Sequence, residues 1–311
     1  MTTLAGRRFF TDRGLRAERH REALQGYLCI LPWMIGFLVF VFIPIFASLY
    51  WSMTHYRLGG VPTYIGFDNY TRAATNDPRF WSSLWRTVLW MFYTVPLGIV
   101  GSMIAAILLN QNLKGITAYR TCFFLPSLTP VVAASILWRW ILHGDIGVLN
   151  WLLSLVGING PAWLGSTRWA MPSLAMIALW NSIGGGRMLI FLAALQAVPN
   201  ELYEAADIDG AGTLRKHLTI TVPLITAAIF FNMIMGVLGS FQAFALAFLT
   251  TDGGPVFATY LFALHIYYTA FGFLDMGYAC ALSWVLFGIV IVLTAIQFAT
   301  SDRWVYYESR R

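Results

Sequence analysis

The side chains able to do chemistry are few, and their spacing excludes most of it. Five histidines (His20, His55, His143, His217, His265) and three cysteines (Cys29, Cys122, Cys280) are scattered without metal-ligand or CxxC spacing, so neither a metal centre nor redox chemistry is indicated. Neither Lys114 nor Lys216 sits in a GxxxxGK[ST] loop, so the chain has no phosphate cradle of its own and is not expected to be an enzyme. What remains is a set of polar groups embedded in apolar sequence. Trp180-Asn181-Ser182-Ile183-Gly184-Gly185-Gly186-Arg187 is one group; Asn232, Ser240 and Gln242, interleaved with Phe241 and Phe244, are the other. Amides and hydroxyls both donate and accept, and aromatic faces suit the apolar faces of sugar rings, so the mixture fits a neutral polyhydroxylated solute. Three consecutive glycines, each costing a helix about 1 kcal/mol relative to alanine, fit either a locally unwound helix or close packing through small residues. For Arg187 a structural or gating role is favoured over binding, and for the phenylalanines plain lipid or helix packing is the commoner alternative.

The elements that must position these groups follow from composition. Of 311 residues, 58% are hydrophobic and 11% charged, against about 25% charged in soluble domains. Six apolar runs, residues 26–51, 87–109, 121–142, 171–197, 224–249 and 278–300, each reach the roughly 20 residues that cross a hydrocarbon core, and only Arg139 and Arg187 of all charged residues fall inside them. The fold class expected is an all-α polytopic membrane protein with six transmembrane helices; a transmembrane β-barrel would show alternating strands of about ten residues.

The basic residues orient these helices. Arg7, Arg8, Arg13, Arg16, Arg19 and Arg21, the second connection (Lys114, Arg120), the fourth (Arg215, Lys216) and the tail (Arg303, Arg310, Arg311) together hold thirteen Lys and Arg, whereas the other connections hold five. The positive-inside bias therefore predicts both termini in the cytoplasm, and the net charge of +6 is a topology signal, not a nucleic-acid footprint. The first run is longer than a signal-peptide core and lacks a small-residue cleavage site, so it reads as a retained helix. The organisation expected is a basic cytoplasmic leader (1–25), a six-helix transmembrane domain (26–300) and a short cytoplasmic tail (301–311). Outside, residues 52–86 read as an ordered cap rich in turn formers, and 148–156 as a short interfacial or re-entrant helix. Arg139, between Trp138 and Trp140, reads as a snorkelling arginine in an aromatic belt.

Residues 199–223, PNELYEAADIDGAGTLRKHLTITVP, differ from their surroundings. Pro199 and Asn200 can open a helix whose first turns carry Glu201 and Glu204; Gly210 permits a sharp turn; a second helix carries Arg215, Lys216 and His217. The result expected is a helix-turn-helix knob. An ordinary charged loop would account for the charges but not for the spacing: Glu204-Ala205-Ala206, three residues, Gly210, nine residues, Ile220, one residue, Val222-Pro223. That pattern resembles the EAA loop of bacterial ATP-binding-cassette importer permeases, with Val222 in place of leucine. The strings AAILLNQNLKGITAYRT, FFLPSLTPVVAASILWRWIL, the GVLN ending at Asn150 and LTTDGGP ending at Pro255 are similar to permeases related to the maltose-transporter large subunit, with Asp252 in place of a glycine and Ala245 where many relatives carry aspartate.

The resemblance implies a type I importer permease in the bacterial cytoplasmic (inner) membrane. It implies pairing with a second homologous permease subunit, two ATP-binding-cassette ATPase subunits that bind ATP and Mg, and an extracytoplasmic solute-binding protein delivering a sugar or polyol. Glu204, Ala205, Ala206, Asp207, Gly210, Ile220 and Pro223 would couple to the ATPase; Trp180, Asn181, Gly185, Arg187, Asn232, Ser240, Phe241, Gln242 and Phe244 are the candidate substrate pathway. The rival classes are an ion-coupled secondary carrier, disfavoured because the spans contain no Asp or Glu to titrate, and a non-transporting scaffold.

Overall fold

A computed structural model describes residues 5–111 and 114–306, with the backbone alone over 5–20. Parts of the expected leader (1–4) and tail (307–311, with Arg310 and Arg311) lie outside the described residues. Among the described residues the regular structure is helical apart from one two-stranded hairpin. Helix α1 (Ala5–Phe37) continues through a π-type turn at Leu38–Phe42 into α2 (Ile43–Ser52), and nothing in the most apolar stretch of this first span is buried. Its Trp33 and Phe40 face outward, as in a lipid-exposed helix. The cap follows: β1 (Thr54–His55) pairs antiparallel with β2 (Thr63–Tyr64), and α3 (Asp68–Thr75) is tied back by Asn69 Nδ2, which donates to the carbonyls of Ser52 and Thr54, both at 2.9 Å.

Helix α4 (Pro78–Leu109) starts nine residues before the apolar run that announced it. Asp77 caps it, accepting the Arg79 N–H at 2.8 Å, and Pro78 occupies the first helical position, where its missing N–H costs nothing. The Asn76-Asp77-Pro78 string is therefore a helix start and not only a turn. At the other end, Arg120 closes the helix by donating twice to the Leu109 carbonyl (3.2 and 2.9 Å).

The next spans are broken. Helices α5 (Ile116–Phe124) and α6 (Val131–Ile141) meet at 94° across a 3₁₀ turn, Leu125–Leu128. Thr129 is extended (ψ 122°), as the residue before a proline must be, and Pro130 opens α6. Hydropathy takes 121–142 as one span because it does not register Pro126 and Pro130. After α7 (Val148–Leu155), helices α8 (Ala170–Ser182) and α9 (Gly186–Gln196) meet at 51°. Here the glycine run does both things asked of it. Residues 183–185 leave the helix, and a side chain at Gly184 would collide with the Phe123 carbonyl, while one at Gly185 would begin 3.0 Å from Ser127 Cβ.

Helix α10 (Asn200–Ile208) leads to α11 (Thr213–Lys216), a π-type turn at His217–Thr221 and α12 (Val222–Leu224). That run meets α13 (Thr226–Phe241) at 69°. The fifth apolar run is interrupted again at 242–244 before α14 (Ala245–Thr250). Helix α15 (Phe262–Tyr267), not anticipated, precedes α16 (Met276–Ser301), which packs on α2. Among the described residues three continuous helices are long and apolar enough to cross a membrane, and up to six spans result if each bent pair counts as one.

Helix α4 is the axis of the packing, touching α3, α5, α8, α9, α13 and α15. Its 32 residues extend about 48 Å at 1.5 Å per residue, so its ends belong to separate neighbourhoods. Phe80 packs with Phe262, Tyr278 and Leu282 at one end; Ala105, Ala106 and Leu109 pack with Met188, Phe191 and Leu195 at the other.

Gly184→Ala is expected to destabilise the protein by about 2 kcal/mol, because backbone and not a flexible side chain meets the new Cβ. Gly186→Ala, with nothing within 4 Å, is expected to be neutral or slightly stabilising. Thermal unfolding of both variants in lipid nanodiscs checks the contrast.

Candidate functional site

The knob is built as its sequence requires. Pro199 precedes α10 in an extended conformation (ψ 131°), and Glu201 lies in the first turn, at the positive end of the helix dipole. The helix ends in a Schellman turn: the Ala211 N–H reaches the Ala206 carbonyl at 2.9 Å and the Gly210 N–H the Asp207 carbonyl at 3.1 Å. Gly210 is left-handed (φ +73°), a conformation an L side chain rarely adopts. Lys216 Nζ meets Asp207 Oδ1 at 2.7 Å and clamps the two helices together. Beneath them, Tyr203 Oη and Thr221 Oγ1 share a hydrogen bond of 2.8 Å, and Tyr203 and Ile220 pack onto the α4–α9 cluster around Leu109 and Phe191. The run of helical turns continues past Arg215, Lys216 and His217 through Leu224, so these residues lie near its start.

Other knob residues have no partner surface among the described residues. Glu204, Ala205 and Pro223 are exposed, Ala206 is half-buried, and the apolar side chains of Ile208 (88% exposed) and Leu214 (73%) project freely. An ordered helical hairpin that turns isoleucine and leucine outward presents a docking surface.

The expected pathway residues divide. Asn181 lines a cavity of about 300 Å³ with Ser182, Ser127 and Trp90, and its Oδ1 is buried without a hydrogen-bond partner among the described residues. Trp180 packs edge-to-face on Trp138 at 5.5 Å, and Gly185 backs onto Ser127. The Arg187 guanidinium lies against Gly98 of α4 and near Gly236 of α13. In α13, Asn232 and Ser240 satisfy themselves on the Ala228 and Gly236 carbonyls (2.9 and 2.8 Å), with Ser240 also 3.3 Å from Thr94 Oγ1. Phe241 is fully buried against Val95 and Val237; Gln242 is exposed; Phe244 belongs to an aromatic group with Phe248 and Tyr267. Ser127 and Trp90 were not singled out in the sequence, because only the two helix breaks bring them to Asn181.

A second polar centre lies at the opposite end of α4 from the knob. Asp77 Oδ2 accepts from His265 Nε2 at 2.8 Å and from the Tyr278 hydroxyl at 2.6 Å, while Asp275 pairs with Arg72 at 2.8 Å and Arg72 stacks 4.1 Å over the Tyr278 ring. These groups line a cleft of about 350 Å³. Burial pushes the Asp77 carboxyl up, but hydrogen bonds from Tyr278, the Arg79 N–H and His265 outweigh it and hold the carboxyl below its ordinary value. Burial holds His265 below its ordinary value despite Asp77. The imidazole is thus neutral at pH 7, donating from Nε2.

Helical spans broken at glycine and proline, with an ordered knob at one end, define a membrane transport scaffold. Residues 71–305 match the family described as binding-protein-dependent transport system inner membrane component, and the chain belongs to that family. It is 40% identical over 294 residues to the "Probable ABC transporter permease protein YesP" of Bacillus subtilis (93% of this chain, 94% of that one). It is 33% identical to the sulfoquinovosyl glycerol transport system permease protein SmoG of Agrobacterium fabrum (88% and 89%) and 30% identical to the trehalose/maltose transport system permease protein MalF of Thermococcus litoralis (89% and 94%). A chain of the bacterial alginate ABC transporter, solved in complex with an alginate pentasaccharide-bound periplasmic protein, superposes with a TM-score of 0.81 at 21% identity, covering 92% of this chain and 96% of that one. The fold is that of the type I ABC importer permeases, and the chain is a membrane permease subunit, not itself an enzyme.

Acid is expected to loosen the Asp77–His265 end. His265 has a depressed folded value, so its unfolded form takes up a proton first, and stability falls as pH drops through about 6.5. Asp77, also depressed, contributes stability that is present above about 3.9 and is lost as pH falls further. The protection factors of amides in α3 and α15, taken relative to the intrinsic rate at each pH, should fall in the native chain from pH 8 to 5, and His265→Gln should flatten the response between pH 7 and 5.5.

Proposed function

We propose that this chain is the permease subunit of an ATP-driven importer that carries a sugar or related polyol across the bacterial cytoplasmic membrane, with its N-terminus in the cytoplasm. It would form the pathway with a second homologous permease, receive solute from an extracytoplasmic binding protein, and dock its knob on one of two ATPase subunits that hold ATP and Mg. The observation that carries this reading is the knob: an EAA-spaced hairpin, internally clamped, that leaves Glu204, Ile208 and Leu214 facing outward. The names of the relatives support the solute class, since sulfoquinovosyl glycerol and trehalose/maltose are glycosides, and the structurally similar transporter was solved with an alginate-loaded periplasmic protein.

Coupling would run through short connections. Helix α9 passes from the glycine break to Gln196, and α10 starts at Asn200, so displacement of the knob bears directly on the break beside the Asn181 cavity. The same knob leads through α11 and α12 into the bend before α13. Glu204, Ala205, Ala206, Asp207, Gly210, Ile220 and Pro223 are the coupling residues in this reading; Asn181, Gly185 and Arg187 lie at the moving break, while Trp180, Asn232, Ser240, Gln242 and Phe244 complete the pathway walls and Phe241 packs behind them against Val95.

Glu204→Lys and Ile208→Asp alter exposed side chains, so membrane insertion should be retained while ATP-driven uptake by the complete importer falls at least about tenfold, the effect of losing 1.4 kcal/mol or more of docking energy. Gly210→Pro, forced to φ near −65°, should remove the turn and abolish uptake. Uptake at the native rate by purified complexes carrying any of the three contradicts the coupling assignment.

A further inference from the structure

The knob passes any displacement to α13 through the 69° bend between Leu224 and Thr226. A loose bend would absorb that displacement, whereas a fastened one transmits it. Ile225, at the bend, is buried and packs into the cluster that holds Leu109, Phe191, Tyr203 and Ile220, so the knob side is gripped by its own core. The α13 side is held by a different part of the chain.

After α16 ends at Ser301 the chain turns, with the Trp304 and Val305 N–H groups reaching the Ser301 carbonyl at 3.1 and 2.9 Å. Val305 is buried. The Trp304 ring meets Phe230 of α13 edge-to-face at 5.8 Å, and Phe230 meets Phe298 of α16 in the same way at 5.4 Å. Phe230 lies four residues after Thr226, on the same face of α13. Along that face the Tyr306 N–H donates to Thr226 Oγ1 at 2.9 Å. An amide N–H can only donate, so the hydroxyl accepts there and directs its own proton to the Pro223 carbonyl at 2.8 Å. One hydroxyl thus joins the last residue of the EAA-spaced pattern to the tail, 80 positions from Thr226.

We propose that residues 301–306 form a strap that fastens this bend, and that Thr226 is a positioning residue for transport. The strap makes the knob, α13 and α16 move as one body, so that displacement at the docking surface reaches Asn232 and Ser240 on α13 instead of being lost at Ile225. Thr226 is only 8% exposed, so it does not dock; it acts through Pro223 on one side and Tyr306 on the other. A tail that served stability alone could close anywhere along α13, and this one ends on the side chain that bonds across the bend. The proposal rests on the import reading above.

The test uses the complete importer with its binding protein in proteoliposomes, offers labelled maltose, trehalose and a hexosyl glycerol as probes, and reads uptake, ATPase activity and their ratio. Thr226→Val keeps the shape of the side chain and removes the hydroxyl. It is expected to assemble and to hydrolyse ATP at the native rate, while solute carried per ATP falls at least about threefold, the factor that one hydrogen bond sets in an equilibrium. Thr226→Ser, which retains the hydroxyl, should keep the native ratio. Tyr306→Pro removes the N–H from the other side of the same bond, and it decides the matter if Thr226→Val does not assemble. Combined with Thr226→Val it should lower the ratio no further. A native ratio in either variant, or uptake and ATPase activity falling together so that the ratio is unchanged, overturns the strap and leaves the importer reading intact. A loss in Thr226→Ser as large as in Thr226→Val, or additive losses in the combined variant, does the same. Uptake of no probe by the native complex counts against both readings.

Discussion

Backbone that leaves a helix inside hydrocarbon must be covered by its neighbours, and this constraint organises the molecule. The break at residues 183–185 exists where the Phe123 carbonyl presses into the space a Gly184 side chain would fill, and the Pro126 and Pro130 break brings Ser127 against Gly185. Each interruption is the other's cover. Side chains that would otherwise be buried in a regular helix–helix contact are turned instead toward shared space, which is why Asn181, Ser182, Ser127 and Trp90 converge although they come from three spans.

The same economy of small residues sets the mechanical layout. Helix α4 is a long continuous shaft, uninterrupted by its internal Pro96, and the bent spans are arranged around it. Its knob end is rigidified by Leu109, Phe191, Tyr203 and Ile220; its far end is held by Asp77 capping the helix while binding His265 and Tyr278. Between those fixed ends lie the breaks.

Much of this was readable before any coordinates. Spans announced themselves by length, the glycine run by its helix cost, and the knob by the spacing of Glu204, Gly210 and Pro223. Bends were harder: Pro126 and Pro130 sit in sequence so apolar that hydropathy returns one span where two helices cross at 94°. The start of α4 was placed late because Arg79 and Arg86 end the apolar run while the helix itself continues out to its Asp77 cap. The Asp77–His265–Tyr278 centre joins residues 188 and 201 positions apart, and no local pattern carries such a contact. Phe241 shows the converse limit: its position in a polar-aromatic stripe marked it for the pathway, and the fold places it in packing against Val95.

The central claim, that the energy for transport enters through the knob from an ATPase, is tested most directly by the energy source of uptake. Purified chain, second permease, ATPase subunits and binding protein would be reconstituted in proteoliposomes and offered external labelled solute, with ATP and ion gradients varied independently. Uptake that requires ATP and survives collapse of every ion gradient is the predicted result. Uptake that persists without the ATPase subunits and disappears with an ion gradient would contradict the account.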